Sequence, residues 1–245
     1  MRLTRIFVPG SLTVGTQTEL PAQAGAHLTR VLRLETGAPL TLFNGAGGEY
    51  AATLLTSGKQ TLARVTAHDV VERESPLQVT LLQGIARGER MDLIVQKATE
   101  LGVTRIVPVL TERSVVKVDA SQRERKREHW QAIAISACEQ CGRNRVPEIT
   151  APVALGDSVA SLPADGLRCL LAADAEAALA QAAAGNRQPL ILLIGPEGGL
   201  ADNERSFARA NGFIDYRLGP RVMRTETAGL AALAVLQAVA GDFAT

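Results

Sequence analysis

The 245-residue sequence predicts an α/β protein in two parts: a small β-rich N-terminal domain over residues 1–73 and a larger α/β domain over 74–245 with a mostly parallel sheet. Three observations predict it. Short apolar runs broken by Gly, Asn and Ser turns fill the first part. Strand and helix patterns alternate from residue 77 onward, which is the signature of a parallel sheet covered on both faces. Two Gly/Pro loops near the end of the chain each leave an apolar strand and each enter a helix.

Taken in order, residues 6–8, 40–43, 50–54 and 62–65 read as strands, with the Asn44–Gly48 run as a hairpin connection and 22–33 as the one helix. Strands at that spacing around one short helix predict a small barrel. Residues 72–76 (Glu-Arg-Glu-Ser-Pro) form a charged linker. Beyond it, strands are predicted at 77–83, 105–110, 168–172, 189–194 and 214–218, and helices at 89–101, 121–137, 175–184, 202–211 and 225–239.

Composition narrows the function. With 46% hydrophobic and 21% charged residues the chain is a globular protein, and the 228–240 apolar run is too short and Ala-rich to span a bilayer. The formal net charge of +1 argues against a generic polyanion binder. The charge is unevenly spread: residues 1–74 carry 7 basic and 6 acidic side chains (+1), 75–150 carry 12 and 9 (+3), and 151–245 carry 7 and 10 (−3). Any nucleic-acid contact is therefore expected in the first two segments and a small ligand in the last. Three cysteines, Cys138, Cys141 and Cys169, cannot all pair within one chain, and no secretory segment opens the sequence, so a reduced cytoplasmic setting is expected. Cys138 and Cys141 lack a second ligand pair, so no metal is expected. No Gly-x-Gly-x-x-Gly follows the first strand of the α/β part and no Gly-Lys-Ser/Thr occurs, which removes the dinucleotide fingerprint and the P-loop.

In open α/β sheets ligands bind beyond the carboxyl ends of the strands. Gly195, Pro196, Glu197, Gly198 and Gly199 hold more glycine than a turn needs, with Gly198 expected at positive φ and Glu197 as a buried acceptor or a solvated charge. In the second loop Thr225 or Thr227 would cap the last helix and Glu226 would face its positive end, which leaves Arg224 without a structural reason. The basic run 123–128 reads as a helical face with i,i+4 pairs, and Arg143 and Arg145 beside it raise the case for a phosphate-contacting ridge. Trp130 reads as packed. His27 and His129 lack partners at catalytic spacing. The final helix carries Leu230, Leu233, Leu236 and Gln237 on one side and Ala231, Ala234, Ala238 and Val239 on the others, so it must be buried nearly all round, and a partner subunit is the expected cover.

Four motifs in order carry a resemblance. Lys97-Ala98-Thr99-Glu100-Leu101-Gly102-Val103, Glu139-Gln140-Cys141-Gly142-Arg143, Ile194-Gly195-Pro196-Glu197-Gly198-Gly199 and the run from Leu218 to Ala228 resemble the 16S ribosomal RNA uracil-N3 methyltransferases of the SPOUT class, the RsmE family. The likeness extends from Arg2, Arg5-Ile6-Phe7 and His27-Leu28 to the last helix, and departs at Cys141 and Asn144. It implies a PUA-like RNA-binding β-barrel in 1–73 and a SPOUT methyltransferase domain in 74–245 closed by a deep trefoil knot. It also implies a homodimer with each site at the interface, and 16S rRNA, within the small ribosomal subunit, as substrate. S-adenosylmethionine would lie on Leu171, Ala172, Gly195, Pro196, Glu197, Gly198, Gly199, Leu218, Gly219, Val222, Met223, Arg224 and Thr227. Arg224 would stabilise the developing uracil anion, and Glu226 would orient Arg224 or accept the N3 proton. Arg5, Arg30, Arg33, Arg125, Arg127 and Arg143 are expected to contact RNA. The alternatives are a SPOUT-type 2′-O-ribose methyltransferase and a non-catalytic RNA-binding or ribosome-assembly protein. The expectation excludes a membrane partner.

Overall fold

The structure is a computed structural model that describes residues 4–57, 60–186 and 188–243, so Arg2 of the resemblance lies outside the described residues. The chain forms two compact units, residues 1–74 with 138–146, and residues 75–137 with 147–245. The 138–146 segment therefore belongs with the N-terminal unit, an assignment that a single boundary at 73/74 does not contain.

The first unit holds five strands, β1 (Thr4–Phe7), β2 (Gln17–Glu19), β3 (Pro39–Phe43), β4 (Glu49–Ser57) and β5 (Gln60–Asp69), paired in the order β1-β3-β4-β5-β2. Alternation along β5 and β3 sends Leu40, Leu42, Ala63 and Val65 into one core with Ile6, Leu20, Leu28 and Leu54. Each fully buried leucine contributes roughly 1.5–3 kcal/mol. The single helix expected at 22–33 is shorter and changes type: α1 (Ala22–Ala26) runs into a π-helical turn, His27–Val31, in which the Leu32 N–H donates to the His27 carbonyl at 3.0 Å. The turn ends with Arg33 at φ 52° and the Leu34 N–H donating to the Leu28 carbonyl at 2.9 Å. Such a left-handed residue at a helix end is usually glycine.

Residues 138–146 tie this unit together through buried polar groups. The Arg5 guanidinium pairs with Glu49, donates to Asn144 Oδ1 at 2.6 Å and to the Arg143 carbonyl at 3.1 Å, and sits 4.9 Å from the centre of the Phe43 ring. Arg143 in turn pairs with Glu74 at 2.6 Å, and Asn144 Nδ2 donates to the Val71 carbonyl at 2.8 Å. Glu139 accepts the Phe7 N–H at 3.0 Å, and burial raises its carboxyl above the ordinary range despite that bond. Burial also pushes the Cys138 thiol up to about 12, which leaves it a packing group rather than a nucleophile.

The second unit is a seven-stranded parallel sheet. Its main path runs β12-β10-β11-β6-β7-β8, from β6 (Val79–Gly84), β7 (Arg105–Leu110), β8 (Glu148–Ile149), β10 (Leu167–Leu171), β11 (Leu190–Ile194) and β12 (Ile214–Tyr216), with β9 (Val153–Ala154) beside β7. β11 reads Leu-Ile-Leu-Leu-Ile and is buried at every position, as a central parallel strand covered on both faces requires. The helices are α2 (Glu89–Glu100), α3 (Ala120–Cys141, of which 138–141 belong to the first unit), α4 (Leu155–Ala160), α5 (Leu179–Ala183), α6 (Asp202–Ala210) and α7 (Thr225–Ala240). α2 buries Met91, Ile94, Val95, Ala98 and Thr99, the i, i+3, i+4 face expected of it. The helix expected at 175–184 shrinks to α5, and the strand expected at 214–218 stops at Tyr216, with Arg217 reaching Ala178 through one isolated bridge. Trp130 is 2% exposed, and its indole N–H donates to Asp92 at 3.1 Å. Among the described residues no helix is long and apolar enough to cross a membrane.

Candidate active site

A cleft of about 700 Å³ opens within the second unit at the carboxyl ends of β10, β11 and β12. Its walls are the loop 172–174 after β10, the loop 195–199 after β11 and the loop 218–224 before α7, joined by Arg90 from α2 and Arg113 after β7. This is where the parallel topology places a ligand. Of the residues expected to hold a cofactor, Leu171, Ala172, Gly195, Pro196, Glu197, Gly198, Gly199, Leu218, Gly219, Val222, Met223 and Arg224 all line it, and so does Glu226. Thr227 does not. It is exposed one residue further round α7, and a helix turns about 100° per residue.

The 195–199 loop is held by close backbone approach. A Cβ on Gly195 would stand 3.0 Å from the Leu200 nitrogen, and one on Gly84, at the end of β6, would stand 2.5 Å from the Pro196 nitrogen. The positive φ falls at Gly199, at 69°, and not at Gly198, and the turn closes with the Gly199 N–H donating to the Pro196 carbonyl at 2.9 Å. Gly198 is close-packed for another reason: a Cβ there would stand 3.0 Å from Arg113 Cβ, so the loop or Arg113 would have to give.

Thr225 does not cap α7. Arg224 occupies the N-cap position without a side-chain bond, and Thr225 Oγ1 instead donates to the Gly195 carbonyl at 2.6 Å while accepting from Gln83 Nε2 at 3.0 Å. Gln83, 0% exposed, also donates to the Gly84 carbonyl at 3.0 Å. One buried chain of hydrogen bonds thus fastens β6, the 195–199 loop and the start of α7 to each other.

The charges sort into three groups. Glu197 Oε1 accepts the Arg87 N–H and Arg90 Nη1, both at 2.9 Å. Burial raises its carboxyl, but these donors and its own N–H outweigh burial and hold it below the usual carboxylate range. Arg90 Nε also lies 3.7 Å from Glu226 Oε1, while Glu226 Oε2 is shielded from solvent and has no hydrogen-bond partner among the described residues. Glu226 therefore pairs with Arg90 and does not orient Arg224. Arg224 is exposed at the cleft mouth, with no ion pair among the described residues. At the far rim Arg205 bridges Asp174 at 2.9 Å and Asp215 at 2.8 Å, and Arg209 joins Asp215 at 2.6 Å. The hydrogen bond from Arg209 opposes burial and, with that from Arg205, holds Asp215 below its ordinary range. Arg90, Arg113, Asp174 and Arg205 are missed by sequence reasoning; the rule that ligands gather at the carboxyl ends of strands, applied to β6, β7 and β10 as well, is the signal that marks their loops.

The basic residues divide. Arg30 and Arg33 are exposed on the π-helical turn, where Val31 and Leu32 are 67% and 42% exposed. Arg125 is exposed on α3, and Arg127 spends its Nε on Glu124 at 2.7 Å. Arg5 and Arg143, 8% and 6% exposed, are corrected from RNA contacts to internal ties of the first unit, because their guanidinium groups are occupied by Glu49, Asn144 and Glu74.

The comparisons agree with this architecture. The model of the family described as RNA methyltransferase domain matches residues 73–237, and that of the RNA methyltransferase PUA domain matches 20–65. The ribosomal RNA small subunit methyltransferase E of Buchnera aphidicola (strain Sg) is 31% identical over 98% of each chain, and that of Synechocystis is 34% identical over 96% of this chain and 77% of its own. The crystal structure of the Neisseria gonorrhoeae ribosomal RNA small subunit methyltransferase E bound to S-adenosyl methionine is 36% identical and superimposes with a TM-score of 0.91 over 99% of this chain and 100% of its own. On these matches the chain belongs to the ribosomal RNA small subunit methyltransferase E family.

Proposed function

We propose that this protein transfers a methyl group from S-adenosylmethionine to N3 of a uridine in 16S rRNA of the small ribosomal subunit. The observation that carries the reading is the cleft itself, formed by three loops at the carboxyl ends of adjacent parallel strands. Its residues fit the cofactor. Glycines at 195 and 198 leave little room for side chains and bring backbone N–H and carbonyl groups to the cleft, and Leu171, Ile194, Leu218 and Met223 supply apolar wall. When bound, S-adenosylmethionine supplies an electrophilic methyl group.

The chain's own residues must then position the base and handle the N3 proton. Arg224, exposed and without an ion pair among the described residues, is placed to meet a uracil carbonyl oxygen as negative charge develops. Glu226, which lines the cleft and keeps one carboxylate oxygen without a partner among the described residues, is the group for the departing proton. N3 lies on the Watson–Crick edge, so the target must be unpaired or splayed out to reach the cleft. RNA is expected on Arg30, Arg33, Arg125 and Arg127.

Three further parts belong to the same reading. The Gly195–Thr225 bond and the Ala178–Arg217 bridge are in keeping with a knotted C-terminal segment. The open apolar positions of α7, Ala231, Ala234, Val235, Ala238 and Val239, support a homodimer. Action on ribosomal RNA is in keeping with a cytoplasmic setting. Nucleoside analysis of 16S rRNA from a deletion strain tests the activity: 3-methyluridine should vanish and return on complementation. Its persistence, or loss of a 2′-O-methyl nucleoside instead, would overturn the proposal.

A further inference from the structure

We propose that Arg90 is a positioning residue for this reaction: it holds Glu226 at the cleft with one carboxylate oxygen left without a protein partner, for the acceptor base to engage, and through it selects bases that carry an N–H on the Watson–Crick edge. The inference rests on the uridine N3 reading above and extends it to a residue outside the cofactor loops.

Arg90 sits in the first turn of α2, two residues after Gly88, whose φ of 60° starts the helix. Its guanidinium reaches two loops at once, with Nη1 2.9 Å from Glu197 Oε1 in the 195–199 loop and Nε 3.7 Å from Glu226 Oε1 at the start of α7. A planar fork with several donors suits that geometry, and a lysine ammonium does not. Glu197 has an independent anchor in the Arg87 N–H, so the part of Arg90 that nothing else duplicates is its hold on Glu226.

The held carboxylate is half used. Oε1 faces Arg90, whereas Oε2 is shielded from solvent and has no hydrogen-bond partner among the described residues, in a side chain that lines the cleft. A carboxylate oxygen kept from water and left unpaired calls for a donor from the ligand. The imide N3–H of uracil is such a donor. The N3 of cytosine and the N1 of adenine are acceptors, and they would meet this oxygen with lone pair against lone pair. As reaction proceeds the N3 proton passes to Glu226 Oε2, the electron pair left on N3 takes up the methyl group, and the sulfur keeps the electrons of the bond it loses. The proton returns to solvent after product leaves.

Four variants of the full chain test this: Arg90→Ala, Arg90→Lys, Glu226→Gln and the double Arg90→Ala/Glu226→Gln. Each is assayed on small ribosomal subunits from a strain lacking the protein, under single-turnover conditions, with S-adenosylmethionine affinity measured separately by calorimetry. Arg90→Ala is expected to slow transfer by about 100-fold, the effect of a reacting group displaced by about 1 Å, and to leave cofactor affinity unchanged. Arg90→Lys should recover part of the rate. The double variant should be no slower than Glu226→Gln alone, because Arg90 acts through Glu226. Rate losses that multiply in the double variant, or a cofactor affinity that falls as far as the rate, would overturn the proposal and leave Arg90 as a prop of the 195–199 loop. Wild-type protein that produces no 3-methyluridine would instead overturn the uridine N3 reading, so the two failures are told apart.

Discussion

Thr225→Val is the most direct probe of how the ligand loops are held. The substitution keeps the shape of a side chain that is 5% exposed and removes only its hydroxyl. Two bonds disappear: the 2.6 Å donation to the Gly195 carbonyl and the 3.0 Å acceptance from Gln83 Nε2. Each neutral bond is worth about 1 kcal/mol net, and stranding the Gly195 carbonyl adds about 1 kcal/mol more, for a total of about 3 kcal/mol. Gln83 offers no compensation, since its Oε1 is already buried without a partner among the described residues. For a chain of this size the melting temperature should drop by roughly 6–12 °C. A loop no longer tied at Gly195 must be ordered on binding, and every ~1.4 kcal/mol of that cost carried into the cofactor complex weakens it tenfold. Thr225→Ser, which keeps the hydroxyl, should recover most of both losses. The assays are thermal unfolding and calorimetric titration with S-adenosylmethionine. A Thr225→Val protein that melts and binds as the wild type does would refute the idea that this chain of bonds fastens the site.

Other outcomes follow from the same geometry. Gly198→Val places a Cβ 3.0 Å from Arg113 Cβ, so the loop or Arg113 must give; calorimetry should show S-adenosylmethionine binding lost while circular dichroism stays close to wild type. Reversing Arg30 and Arg33, or Arg125 and Arg127, to Glu should weaken RNA binding and lower the salt slope by about 1.4 if each pair meets two phosphates of single-stranded RNA, with cofactor affinity unchanged; RNA affinity that survives both reversals would make these residues a solvated surface only. Arg5→Ala should cost about 3 kcal/mol in denaturant unfolding, because it removes the buried charged bonds to Asn144 and the Arg143 carbonyl and leaves Glu49 to Arg73 alone, whereas an arginine serving only RNA would cost nothing. Arg73 and Arg5 outweigh burial and hold the Glu49 carboxyl below 4.5, so its contribution should be complete above pH 4.5 and lost as pH falls through the lower folded value, and Glu49→Gln should flatten that acid slope in urea melts from pH 7 to 3.

The parallel sheet was legible because its strands are nearly continuous apolar runs: Leu190–Ile194 has no helical reading at five residues between a Pro and a Gly-Pro pair. α2 and α7 were legible from their spacing. The 175–184 stretch misled because alanine favours a helix without specifying one, and only Ala175, Leu179 and Ala183 are buried there. β8 and β9, two residues each, are products of lying beside β7 and have no pattern of their own. Arg5 and Arg143 misled because charge was read as surface; Arg5 and its partner Asn144 are 139 positions apart in sequence, a separation that local pattern does not bridge. The site shows the same division. The two glycine loops announce themselves, but with glycines at both 198 and 199 the sequence does not say which takes the positive φ. Arg90 joins Glu197 and Glu226 only through the convergence of three strand ends, which no single stretch of sequence contains.

The central claim is that this one cleft holds S-adenosylmethionine and delivers its methyl group to a uracil nitrogen. Nucleoside mass spectrometry of the 16S rRNA tests it, after small ribosomal subunits from a strain lacking the protein are incubated with the purified protein and S-adenosylmethionine labelled in the methyl group. The account predicts label in 3-methyluridine alone, abolished by Gly198→Val. Label in a 2′-O-methyl nucleoside or in cytidine, or undiminished label with Gly198→Val, would contradict it.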